Sequence, residues 1–115
     1  MTVSIWHNPR CSKSRETLAL LEERGRSPKI VHYLETPPTP AEIKAAAKLL
    51  GVPLREMTRK KENLYRELGL DDEALSDSAL AKALSENPAL IERPVVFSRG
   101  MARIGRPPEA ILEIL

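Results

Sequence analysis

The chain contains one cysteine, Cys11, in the run His7-Asn8-Pro9-Arg10-Cys11-Ser12-Lys13-Ser14. Asn8-Pro9 breaks the strand before it and the residues after it read as helical. The thiol therefore falls at a helix start, where unpaired backbone N–H groups and the positive end of the helix dipole stabilise a thiolate. A thiolate so placed is a nucleophile; the structural alternative is a small buried hydrophobe, the common fate of a free cysteine. A lone cysteine excludes an intramolecular disulfide and an all-cysteine metal site within the chain, so redox turnover at Cys11 needs a second thiol from outside. His7 either tunes the thiol or is a partly exposed polar residue at a strand end. Ser14, one turn after Cys11, either donates to the sulfur or is an ordinary first-turn serine.

The elements that must position these residues can be read along the chain. Thr2 to Trp6 alternates around Val3 and Ile5 and favours a strand. From Ser12 the apolar residues Leu18 and Leu21, broadened by Ala19 and Leu20, mark a helix that stops near Gly25. Ile30, Val31, Tyr33 and Leu34 form a second short strand, completing a parallel β-α-β unit with a right-handed crossover. Thr39-Pro40-Ala41-Glu42 carries the capping-box spacing with proline at the first helical position, and this helix should end near Gly51. Further short helices are expected at Pro53 to Met57, Lys61 to Leu68 and Asp77 to Ser85. Pro94 to Ser98 and Met101 to Ile104 read as a hairpin around Ser98-Arg99-Gly100. Pro107 to Leu115, with Ala110, Ile111 and Ile114 at helical spacing, closes the chain as a helix.

At 115 residues the chain has the length of one domain. Its 42% apolar and 30% charged residues belong to an ordinary folded protein. Eighteen Lys plus Arg against sixteen Asp plus Glu leave a formal charge of +2, too little for a general pull toward nucleic acid or membranes. Anion binding must therefore come from locally arranged arginines. The run Arg55, Arg59, Lys60, Lys61 lacks interleaved aromatics and reads as a solvated helix face rather than a nucleic-acid site. The first residues carry neither the basic region nor the apolar stretch of a signal peptide, and the expectation is a cytoplasmic protein.

His7-Asn8-Pro9-x-Cys11-x-x-Ser14 resembles the active-site loop of the ArsC-type arsenate reductases, a branch of the thioredoxin superfamily. The likeness extends through Leu54-Arg55 to Arg59-Lys60, then Tyr65 and Glu67-Leu68-Gly69-Leu70. It continues in Ile91-Glu92-Arg93-Pro94-Val95-Val96 and ends in Gly105-Arg106-Pro107 with Ala110-Ile111-Leu112. It implies a thioredoxin-like α/β fold with a mixed sheet (β-α-β, then β-β-α) and an all-helical insertion at about 39–88 within one domain spanning the chain.

The resemblance also implies a chemistry. Cys11 would attack arsenate to form a thiol-arsenate adduct, and Arg59, Arg93 and Arg106 would clamp the oxyanion, with His7, Ser14 and Pro94 in support. Arg55 and Arg99 are expected to be solvated. By the same resemblance Arg93-Pro94 is cis, glutathione is the co-substrate and glutaredoxin the protein partner. No bound cofactor or metal is expected, and the chain is expected to act as a monomer. Two other readings share these features: an Spx-like regulatory module that docks on RNA polymerase, and an ArsC-related glutathione-dependent reductase without arsenate activity. Many Spx-like proteins carry Cys-x-x-Cys where this chain has Cys11-Ser12-Lys13-Ser14. The third arginine, Arg106, favours the arsenate reading over the second.

Overall fold

The computed structural model describes residues 2–115, and these fall into two compact units, 1–36 with 93–115 and 37–92. In the first unit, strands β1 (Ser4–Trp6) and β2 (Lys29–Val31) flank helix α1 (Ser12–Glu23), and strands β3 (Val95–Ser98) and β4 (Met101–Ile104) return from the far end of the chain. The sheet order is β2-β1-β3-β4. β1 pairs with β2 in parallel and with β3 antiparallel, and β3 with β4 antiparallel, so the sheet is mixed, as expected.

The strand alternation of Val3 and Ile5 delivers both to a core shared with Leu21, Val96, Ile111 and Ile114. Full burial of each large aliphatic side chain is worth about 1.5–3 kcal/mol, which is what fastens α1 and the C-terminal segment to the sheet. The hairpin turn holds Arg99 and Gly100 at φ of 56° and 74°. Positive φ at both central positions is the geometry whose twist matches the flanking strands.

One expectation fails locally, and two expected helices form as the tighter 3-10 type. β2 stops at Val31, and Tyr33 and Leu34 lie in a turn closed by Glu35 and Thr36 N–H donating to the His32 carbonyl. Tyr33 is buried all the same, so its apolar character reflects core packing rather than strand pairing. The C-terminal helix is a 3-10 helix at Pro108–Ile114, and so is the segment expected at Pro53 to Met57, observed at Leu54–Met57. A spacing of three between Ile111 and Ile114 buries both equally well on the tighter helix.

In the second unit, α2 (Pro40–Leu50) opens with the expected capping box: Glu42 N–H donates to Thr39 Oγ1 at 3.1 Å and Thr39 N–H to Glu42 Oε1 at 2.9 Å. The short helix α3 (Asn63–Glu67) and the helix α4 (Asp77–Glu86) follow. Ile43, Ala46 and Ala47 of α2 are buried, as are Leu80, Ala81 and Leu84 of α4, and the two helices pack together. Thr58 and Ile91 form a bridge, reinforced by Arg59 N–H to the Leu90 carbonyl at 2.7 Å and Glu92 N–H to the Met57 carbonyl at 2.8 Å.

Candidate active site

Cys11 is the N-cap of α1, with extended backbone angles (φ −92°, ψ 123°). Its N–H donates to the Asn8 carbonyl at 3.0 Å, so the Asn8-Pro9 break ties off the loop and aims the side chain at the open end of the helix. The side chain is buried. Burial pushes the thiol pKa up, but the backbone N–H of Ser14, the Arg93 charge, the backbone N–H of Lys13 and a hydrogen bond from Arg93 outweigh it, and the net displacement is downward. The helix start thus acts through two particular N–H groups, the unsatisfied donors that every helix begins with.

Two arginines meet at this sulfur. Arg106 Nη2 lies 3.7 Å from Cys11 Sγ, and its Nε donates to the Arg93 carbonyl at 2.8 Å. Arg93 faces the thiol from two residues before β3, and its Nε and Nη1 are buried with no protein acceptor. Buried guanidinium N–H groups without acceptors are costly unless an anion completes them. Arg93-Pro94 is cis as expected, and Arg106-Pro107, for which nothing in the residues prompted the same expectation, is cis as well.

Arg59 belongs to the second unit. There its guanidinium pairs with Glu62 at 2.5 Å and donates to the Ala89 carbonyl at 3.3 Å. Arg55, expected to be solvated, is instead a structural cross-link: it donates to Tyr65 Oη at 3.0 Å, to the Leu70 carbonyl at 2.5 Å and to the Asp72 carbonyl at 2.6 Å. A guanidinium has five donors in a planar fork and can satisfy several loop carbonyls together. Arg99, by contrast, is exposed in the hairpin turn.

His7 and Ser14 correct two expectations. His7 is buried rather than partly exposed, and Ser14 is buried too. Ser14 Oγ accepts from Asn8 N–H at 3.0 Å and lies 2.6 Å from His7 Nδ1, so the hydroxyl serves the loop and the histidine while the backbone N–H of the same residue serves the sulfur. Burial, then the charges of His32 and Arg15, lower the His7 pKa. A neutral ring lets Nδ1 accept the Ser14 O–H. Nothing in the sequence signals a bond between residues seven apart across a loop and a helix start. Among the described residues, no three His, Cys, Asp or Glu side chains are grouped to hold a metal ion, and no helix is long and apolar enough to cross a membrane.

The profile of the ArsC family matches residues 6–114, a span that includes the His7 to Ser14 loop and all three arginines. The chain belongs to the ArsC family. It is 53% identical to an arsenate reductase of Haemophilus influenzae over 116 residues, covering 100% of both chains. It is 41% identical to an arsenate reductase of Escherichia coli over 113 residues, which are 98% of this chain and 80% of that one. Among solved structures, an arsenate reductase from Vibrio cholerae superposes with a TM-score of 0.98 at 57% identity, covering 100% of this chain and 98% of that one. The fold of this ArsC-family chain is therefore the thioredoxin-like one, its mixed sheet presenting Cys11 in the connection from β1 to α1 and Arg93 just before β3.

Proposed function

We propose that the chain is a cytoplasmic arsenate reductase that works as a monomer through a covalent Cys11 adduct, with glutathione and glutaredoxin as reductants. The observation that carries this reading is the pair of buried, acceptorless Arg93 N–H groups beside a thiol of lowered pKa that Arg106 also approaches. That arrangement is a receptor for an oxyanion set against a nucleophile. The relatives named above, and the sequence likeness that extends through Arg59, direct the choice of anion to arsenate.

The arginines address the main barrier. A thiolate and an oxyanion about 4 Å apart repel by roughly 4 kcal/mol at an effective dielectric of about 20, enough to slow attack about a thousandfold. Guanidinium groups cancel that repulsion and hold two oxygens at once. The lowered thiol pKa contributes less. Each unit of depression raises the thiolate fraction up to about tenfold, yet a Brønsted slope near 0.5 returns about threefold of it as lost nucleophilicity.

The cycle balances as follows. Cys11 thiolate attacks arsenic(V) and an arsenate oxygen leaves as hydroxide or, once protonated, water, with no change of oxidation state. Glutathione thiolate then attacks the Cys11 sulfur. The S–As bond breaks with its electron pair moving to arsenic, which departs as arsenite, and a Cys11–glutathione disulfide remains. A glutaredoxin thiolate takes the glutathione and restores Cys11. The lone cysteine is what makes both outside thiols necessary.

Arg59 is assigned to the clamp by its place in the sequence likeness alone. The deciding experiment is arsenite formation from arsenate by the pure protein with glutathione and glutaredoxin. Absence of arsenite, with a folded protein and an active glutaredoxin, would move the assignment to a thiol reductase of another substrate.

A further inference from the structure

Gly105 is buried, and its backbone is held from two sides. Its N–H donates to the Pro94 carbonyl at 3.0 Å, one step beyond the β3–β4 ladder. On its other side a methyl group would overlap Thr17 Oγ1 and come within 2.9 Å of Pro94 Cγ and 3.1 Å of Thr17 Cγ2. Its φ is not positive, so the missing side chain is needed for space rather than for backbone conformation.

Neither neighbour can yield cheaply. Thr17 is fully buried on α1, and its hydroxyl donates to the Lys13 carbonyl at 2.7 Å, which locks a side chain already restricted by branching at Cβ. Pro94 is a buried ring. The two elements touching at Gly105 are those that carry the reactive pair: Cys11 caps α1, and Arg106 directly follows Gly105.

We propose that Gly105 is a positioning residue: its contact with Thr17 and Pro94 sets how closely the Arg106 segment approaches α1, and thereby holds the Arg106 guanidinium at the Cys11 sulfur. The inference rests on the reading of Cys11 and Arg106 as the working pair. An added methyl must push apart either α1 or the Arg106 segment, and in both cases the 3.7 Å contact lengthens.

The test uses alkylation of Cys11 by iodoacetate, an anion, and iodoacetamide, its neutral counterpart. The ratio of the two rates reads the cationic field at the sulfur and needs no arsenate. Gly105→Ala should lower the ratio about fivefold or more, as expected for removing a charge near 4 Å from an approaching anion. Arg106→Ala should lower it similarly, and Gly105→Ala added to Arg106→Ala should lower it no further, because both act through one group. Thr17→Ala, by removing the closer of the two overlaps while Pro94 Cγ stays at 2.9 Å, should restore the ratio in Gly105→Ala in part. An unchanged ratio, additive losses with Arg106→Ala, or no restoration by Thr17→Ala would each overturn the proposal. Should Gly105→Ala fail to fold, Gly105→Ala/Thr17→Ala is compared with Thr17→Ala alone; a difference smaller than about fivefold upholds the steric assignment and one of about fivefold or more sinks it. If these ratios behave as expected while arsenate is not reduced, the positioning role stands and the choice of substrate fails.

Discussion

Arg106 Nη2 and Cys11 Sγ lie 3.7 Å apart across 95 residues of sequence. The contact joins the segment after the last strand to the helix start after the first, and the Arg106 Nε bond to the Arg93 carbonyl makes the two arginines one unit around the thiol.

The first prediction concerns that thiol. Its lowered pKa should put the midpoint of iodoacetamide reactivity against pH below the usual thiol value, and Arg93→Ala should move the midpoint up by removing a charge and a hydrogen bond from the thiolate. A midpoint at or above the ordinary value would contradict an activated thiolate.

Replacing Arg59, Arg93 or Arg106 by Ala should cost about 2–4 kcal/mol of transition-state stabilisation, or about thirtyfold to a thousandfold in kcat/KM for arsenate. Lys should rescue only in part, since it restores charge without the planar fork. Arg99→Ala is the control, because Arg99 is exposed in the hairpin turn. If Arg59→Ala matched Arg99→Ala, Arg59 would drop out of the clamp.

Arg55→Ala is expected to act on stability. It removes three hydrogen bonds that tie Tyr65, Leu70 and Asp72 together, so Tm should fall, while kcat/KM of the folded fraction should stay near wild type. Loss of activity without loss of Tm would place Arg55 in the clamp after all.

Ser14→Ala separates the two roles of Ser14. Loss of the hydroxyl strands Asn8 N–H and His7 Nδ1, at about 1–3 kcal/mol in a denaturant titration. The thiol midpoint should hardly move, because the sulfur is served by the Ser14 backbone N–H. His7 gives this region a pH dependence. Its pKa is lowered on folding, so the unfolded chain binds the extra proton first, and stability should fall as pH drops below the ordinary histidine value toward the folded one. His7→Gln should flatten that slope.

Turnover should require the glutathione system. Arsenite formation with thioredoxin alone should be far slower than with glutathione and glutaredoxin, and equal rates would contradict the need for two external thiols of that type.

Much of this protein is written locally in its sequence. The capping box at Thr39 to Glu42 and the break at Asn8-Pro9 are decided by residues within one turn of each other, as is the helix start that supplies N–H groups to Cys11. The alternation of Val3 and Ile5 likewise determined which face of β1 enters the core. Tertiary structure decided what depends on distant partners. Tyr33 and Leu34 look like strand residues by type, yet the ladder ends at Val31 and the turn takes them over. Arg55 and Arg59 are the same residue type four apart in one basic run, and only the fold gives Arg55 three loop acceptors and Arg59 a carboxylate. An arginine's destination depends on which carbonyls, carboxylates or sulfur lie at the end of a long flexible side chain, and those atoms are brought there by chain segments far away in sequence.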